Sequence, residues 1–419
     1  MAAALVGAAD TVLSRDEVVA FVREQLAGDD YDGRSVCVLV PDATRSCPLP
    51  LLVEAVHGAL HGRASRLTVL VALGTHAPMS PAQLARHLGC EERGLAERFP
   101  GMEVRNHEWR DPATFVTLGH LPGARVAELS DGRLDVDVEV RLNRAVAEHD
   151  VSLVIGPVFP HEVVGFSGGN KYFFPGVGGQ EVIDVSHWLG ALITSATLIG
   201  TTGVTPVRAL IDEASALVPS RRRALCLVVR PGTTDLHAMS YGPPEPAWAS
   251  CAEVSAEVHV TYLDEPVRRV VSVVPEKYDD LWTGAKGFYK VEPVVADGGE
   301  VVLYAPHITE VAAMHPAVEE VGYHCRDYFV GQWDRFRDLP WADLAHSTHL
   351  RGAGTWDAEH GERCRVAVTV ATGIPEDVVR RIGLQHLDPA SVDLDQAETD
   401  PGTLLVREAG EVLHRLRRS

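Results

Sequence analysis

The stretch VSLVIGPVFPHEVVGFSGGNKYFFPGVGG, residues 151–179, decides the fold. Its opening, Val151 to Val158, is almost uninterrupted in apolar character, the pattern of a strand buried on both faces, and such strands belong to parallel sheets. Residues 159–179 cannot form one regular element. Glycines at 165, 168, 169, 176, 178 and 179 would each cost backbone entropy in a helix or strand. They suit a loop that takes positive φ or lets another group come close, and such a loop can turn successive N–H groups onto an anion. His161 and Lys171 stand inside it. Lys171 precedes Tyr172, Phe173 and Phe174, where desolvation would favour the neutral, nucleophilic amine. From Gln180 to Ile193 the apolar residues 182, 183, 185, 189, 192 and 193 predict a helix that carries His187 about two turns in. A lone His or Lys in a strand–loop–helix unit is commonly structural. Two imidazoles, an amine and the glycines in one run make a candidate site.

The same rhythm runs through the residues before it. Ser14 and Glu17 stand at capping-box spacing ahead of Val18, Val19, Phe21 and Val22, which predicts a helix. Ser35 to Val40 reads as a strand, about Pro50 to Gly62 as a helix, and Leu67 to Leu73 as the next strand. A helix capped by Ser80 runs to about Leu88, Met102 to His107 is a short strand, and Val136, Val138, Val140 and Leu142 alternate as a half-buried one. Strand, polar loop, helix, strand is the order of a parallel α/β sheet with ligand groups at the carboxyl ends of its strands. The first strand end carries Asp42, Thr44 and Arg45. An Arg there can hold a carboxylate bidentately, and the same residues also make a stable turn. The second carries His76, placed either for acid–base work or for a backbone bond in its own loop.

Beyond His187 the pattern predicts a helix from Thr205 to Leu217 and strands at Arg221–Val229 and His259–Leu263, with Tyr241 to Pro246 as a turn-rich connection. A chain of 419 residues exceeds a typical single core, so two α/β domains are expected, 1–265 and 266–419, with mostly parallel sheets and the active site in the cleft between them. In the second, Lys286 is placed beside a helix amino terminus, where a lysine can bind a carboxylate or phosphate, and a helix is expected to continue to Val295. Strands follow at Glu300–Tyr304 and Arg365–Val370, a helix at Pro375–Ile382, and a strand-and-helix tail from Gly402 to Leu416. His307, His315, His324, His346, His349 and His360 lack HExxH spacing and read as structural or exposed. Trp356 is a candidate either for stacking on a planar cofactor or for core packing.

A formal net charge of −20 argues against non-specific binding to nucleic acid or anionic membranes. Cysteines at 37, 47, 90, 226, 251, 325 and 364 form no CxxC pair and suit a reducing cytosol. The amino-terminal apolar run is short and broken, so neither signal peptide nor membrane span is expected, and the chain reads as cytoplasmic.

The run PHEVVGFSGGNKYFFPG, with His187 downstream, resembles the signature of the lactate racemase family. Asp42-x-Thr44-Arg45-x-x-Pro48 and the loop Gly74-Thr75-His76-x-Pro78 are similar to further family runs in the same order. The resemblance implies a racemase or epimerase that inverts C2 of a 2-hydroxy acid through a 2-keto acid intermediate. Its cofactor would be a nickel-pincer nucleotide, a pyridinium mononucleotide with two sulfur arms holding nickel. It implies covalent attachment of the cofactor at Lys171, the Gly168-Gly169 turn approaching it, His187 as the protein ligand of nickel, and His76 and His161 as the two acid–base residues. Arg45 and Lys286 would hold the substrate carboxylate with help from Asp42. Family members often have Gln where this chain has Thr283, which puts that corner of the substrate site in doubt. The implied partners are a small 2-hydroxy acid, short and aliphatic such as lactate, and the enzymes that build the cofactor. Other readings are a sugar-acid 2-epimerase on the same cofactor, a metal-dependent hydrolase with His76, His161 and His187 as ligands, and a binding protein without turnover.

Overall fold

Val151–Pro157 is the central strand of a seven-stranded sheet in the computed structural model, which describes residues 2–417. Every residue of that strand is buried, as its nearly continuous apolar run requires, and the one polar residue, Ser152, is bonded to the Ser220 hydroxyl at 2.6 Å. Ser35–Val40 lies parallel to it on one side, followed outward by Arg66–Val71 and Met102–Asn106. Arg221–Val229 lies parallel to it on the other side. The sheet then finishes with two antiparallel strands, Leu236–Gly242 and Ala4–Gly7. The order reverses between Ser35–Val40 and Val151–Pro157, one chain path leading outward each way. In such sheets ligands bind outside the carboxyl ends of the strands at that reversal.

Helices clothe the sheet as the capping signals predict. Arg15–Ala27 begins with a complete capping box between Ser14 and Glu17 and buries Val18, Phe21, Val22 and Leu26. Together with Leu49–Leu60 these side chains close over Val36, Val38 and Val40. Burial of each large apolar side chain of this kind contributes roughly 1.5–3 kcal/mol.

The chain divides into two compact units. The first comprises 1–159, 167–183 and 202–258; the second comprises 160–166, 184–201 and 259–419. The division therefore falls at 258/259 rather than 265/266, and two short segments of the amino-terminal half count with the second unit. Within that unit a five-stranded, wholly parallel sheet runs in the order Gln385–His386, Ala367–Thr372, Val295–Ala305, Val267–Val273, Thr403–Val406. Its core is built on Val270, Val301, Leu303, Val368 and Val370. Both units are α/β with mostly parallel sheets.

Three local expectations are corrected. Tyr241 and Gly242 end a strand, and Pro244 opens the helix Pro244–His259, because prolines are tolerated in a first helical turn where N–H groups lack partners anyway. The helix expected through Lys286 to Val295 is broken into Leu281–Gly284, Lys286–Tyr289 and a 3-10 turn at Glu292–Val294. The tail from Gly402 holds strands Thr403–Val406 and Leu413–Leu416 and no helix, since Leu413–Leu416 pairs with Val260–Leu263. Among the described residues no helix is long and apolar enough to cross a membrane.

Candidate active site

Ser35–Val40 delivers Asp42 to the strand-end edge at the point of reversal, and the turn after it is folded around that one carboxylate. Its Oδ1 accepts from the Thr44 N–H at 3.0 Å and from the Thr44 hydroxyl at 2.6 Å. Its Oδ2 is bonded to Nδ1 of His76, which arrives from the end of the neighbouring strand Arg66–Val71. Burial would push the Asp42 carboxyl up, but the charge and hydrogen bond of His76, with Arg45 and Thr44, outweigh it and hold it well below the usual carboxylate range. Asp42 is therefore an anion that only accepts. Nδ1 of His76 is thus the donor of this bond, which leaves Nε2 as the nitrogen turned away from Asp42. Trp109 fixes the same loop by donating its indole N–H to the His76 carbonyl at 3.0 Å. Arg45 donates to the Thr44 hydroxyl at 2.8 Å and lies with its guanidinium 5.5 Å from the centre of the Phe159 ring.

The glycine-rich loop meets this edge from the end of Val151–Pro157. The Gly74 N–H donates to the Gly176 carbonyl at 2.9 Å, tying the His76 loop to it. Tyr172 lies across Gly156, where an added Cβ would come 2.1 Å from its ring and hydroxyl, and burial pushes its phenol well above the ordinary value. Gly168 and Gly169 take φ of 83° and 59°. A Cβ on them would meet Val158 at 2.6 Å and Trp248 at 2.9 Å. Both glycines thus have a packing reason independent of any cofactor. Lys171 sits in the 3-10 turn Gly169–Tyr172, half-buried, with Tyr172, Phe173 and Phe174 buried after it.

Asn170 anchors that turn. Its amide donates to Asp212 at 2.9 Å and Glu245 at 2.8 Å, and its carbonyl accepts from Arg222 at 2.9 Å. The sequence offered only an Asn inside a glycine run; its three partners come from elements 42 to 75 residues away. Replacing Asn170 with Ala leaves buried polar groups unsatisfied and is expected to lower stability by roughly 2–4 kcal/mol, read from urea denaturation.

The second unit carries the other predicted residues. Pro160–His161 pairs with Gly165–Phe166 in a two-residue hairpin. Nδ1 of His161 accepts the Val163 N–H at 3.2 Å and stands 3.3 Å from the Glu162 carboxylate. His187 lies half-buried on Gln180–Ile193, with Ser186 Oγ 3.4 Å from its Nδ1. That helix is held by Asp184, which accepts from the Ala342 N–H, and by Trp188 stacked on Trp333.

Lys286 is buried, donates to the Thr283 carbonyl at 3.2 Å and lies 5.1 Å from the centre of the Tyr278 ring. Thr283 donates its hydroxyl to Asp280 at 2.7 Å, and Asp280 caps the helix Leu281–Gly284 by accepting the Thr283 N–H at 2.8 Å. Thr283 is committed internally at the place where a longer Gln would have reach. Trp282 is sandwiched between His315 and His346, ring centres 3.8 Å apart on both faces. Trp356 packs edge-on against Tyr328 in the hairpin Gly354–Cys364. Among the described residues no group of three or more His, Cys, Asp or Glu side chains is arranged to hold a metal ion.

A family model described as the lactate racemase N-terminal domain matches residues 24–198. Curated lactate racemases from Thermoanaerobacterium thermosaccharolyticum and Lactiplantibacillus plantarum are each 26% identical to the chain. Those matches cover 37% and 39% of this chain and 32% and 34% of the relatives, about a third of their length. A structural-genomics crystal structure of a Thermotoga maritima protein superposes with a TM-score of 0.88 at 31% identity, covering 97% of this chain and 99% of that one. The lactate racemase apoprotein from T. thermosaccharolyticum superposes with a TM-score of 0.71 at 17% identity, covering 96% and 93%, and shows a shared fold.

Proposed function

The chain belongs to the lactate racemase family, and from that premise we propose that it inverts C2 of a 2-hydroxy acid, a short aliphatic one such as lactate. The C2 hydrogen beside a carboxylate is not acidic, so inversion by a simple base is closed. Removing that hydrogen as hydride while a base takes the hydroxyl proton avoids a carbanion. A bound nickel-pincer nucleotide would supply the hydride acceptor. The residues fit such a group. Lys171 offers a half-buried amine on a tight turn at the sheet reversal, and His187 offers a single half-buried imidazole. A metal carried by its own organic ligand asks no more of the protein than one such donor.

The remaining work falls to this chain's side chains. His76, with its Nε2 lone pair kept outward by Asp42, takes the hydroxyl proton of one enantiomer and returns it. His161, with the Glu162 carboxylate 3.3 Å from its Nδ1, does the same for the other. Two bases are needed because enantiomers present opposite arrangements at C2 to one fixed acceptor. Arg45 and Lys286 hold the carboxylate. The observation that carries this reading is the Asp42–His76 pair at the sheet reversal: an ionised, buried carboxylate fixing the tautomer of a part-exposed imidazole is the makeup of an oriented general base.

Lys171→Ala provides the test. The chain, co-expressed with enzymes that make the cofactor, is expected to carry a mononucleotide-sized mass adduct and about one nickel per chain, and the variant neither. Loaded protein is then assayed on chiral 2-hydroxy acids by enantiomer-resolving chromatography. Metal without an organic adduct, unchanged in the variant, would overturn the reading.

A further inference from the structure

A cavity with a volume of about 130 Å³ lies wholly inside the second unit. Its walls include Thr194 and Ala196 at the end of the Gln180–Ile193 region, Arg326, and Glu292, His349 and Gly352. Two of these side chains face it with unused hydrogen-bonding capacity. His349 is 3% exposed and neither ring nitrogen has a partner; Glu292 is 1% exposed and its Oε2 has none. Glu292 Oε1, by contrast, accepts the Ala353 N–H at 2.8 Å. Gly352 keeps the space open, since a Cβ there would come 2.7 Å from Glu292. Thr194, a β-branched residue, holds φ at 92°, a conformation that is costly and kept only where surroundings impose it.

The chemistry of the wall selects its occupant. Arg326 is already committed to Asp327 and to the Leu192 carbonyl, so the wall offers an anion no uncommitted cation. Among the described residues no three-ligand cluster invites a metal. An apolar guest would leave three buried polar atoms unsatisfied, at roughly 1–3 kcal/mol each. A neutral imidazole offers one donor and one acceptor, and the carboxyl of Glu292 adds a third point. At about 30 Å³ of liquid volume per water the space holds roughly four, the size of a guest of three or four carbons with its hydroxyls. We propose that this cavity binds a small uncharged polyol through His349 and Glu292. Glu162 lies close enough to His349 to act on its charge and stands 3.3 Å from His161, so the occupant sits one side chain from a candidate base. Polyol binding here is independent of the racemase reading.

Saturation-transfer NMR on the full chain with erythritol, and with lactate and putrescine as charged comparators, tests it. Saturable erythritol binding is expected, weakened at least tenfold in both His349→Phe, which removes the nitrogens, and Ala196→Leu, which fills the space. If His349→Phe does not fold, Ala196→Leu carries the comparison. A crystal soaked in erythritol should show it on His349. No saturable binding, binding indifferent to both variants, tighter binding of either charged comparator that Ala196→Leu abolishes, or water alone in the soaked cavity would each overturn the proposal.

Discussion

Replacing His76 with Asn is expected to lower the racemisation rate of the cofactor-loaded protein by about 10²–10⁴-fold, with nickel content unchanged. The loss should be equal in both directions. Enantiomers have an equilibrium constant of one, so kcat/KM for the two must remain equal in any variant, even if His76 serves only one of them. His161→Asn should therefore give a loss of the same order. Asp42→Asn is the sharper probe, because it leaves size and burial nearly intact while freeing His76 to place its proton on Nε2. Removing the orienting carboxylate from an acid–base pair of this kind costs about 10⁴-fold where it has been measured. Since Asp42 acts through His76, the double variant should be hardly worse than the worse single one. An Asp42→Asn protein with full activity would sink the assignment of His76 as an oriented base.

The sequence made the architecture legible wherever one residue pattern answered to one physical demand. Val151 to Val158 had to be an interior strand because only Ser152 interrupts its apolar run, and Ser14 with Glu17 had to start a helix because the two cap each other. The strand-end positions of Asp42, Arg45, His76 and Lys171 followed from those elements. What stayed hidden was long-range. Asn170 looks like part of a turn until Arg222, Asp212 and Glu245 close around it from distant segments. Leu236–Gly242 is not legible as a strand because its pairing with Arg221–Val229 and Ala4–Gly7 outweighs its mixed composition. Thr283 could be seen to depart from the family, but its hydroxyl's commitment to Asp280 is a fact of side-chain geometry. The interleaving of 160–166 and 184–201 with the second unit leaves no mark on composition at all.

The buried histidines set a second large expectation, on stability against pH. Burial pushes His107 in the first unit and His349 in the second down to about 4, the latter despite the nearby Glu162, and burial drives His346 well below its ordinary value. In an unfolded chain each would titrate near 6.5. Between those values the unfolded state binds protons that the folded state refuses, so stability rises with pH across the window. The contribution is fully present above about 6.5, is lost as pH falls toward 4, and is flat below. Each of His107 and His349 accounts for about 3 kcal/mol on this scale. Depressed carboxylates lie outside the window: Asp29 and Glu362, held near 2 by hydrogen bonds and arginine or histidine charge against the opposing effect of burial, lose their contribution only at lower pH. Asp212 and Glu292, raised by burial, run the other way and offset part of the loss. Urea unfolding free energies from pH 8 to pH 4 should fall with the slope of one or more protons, and His349→Phe should flatten the slope by up to one proton. An unchanged slope in that variant would mean that His349 is protonated, or reached by water, in the folded protein.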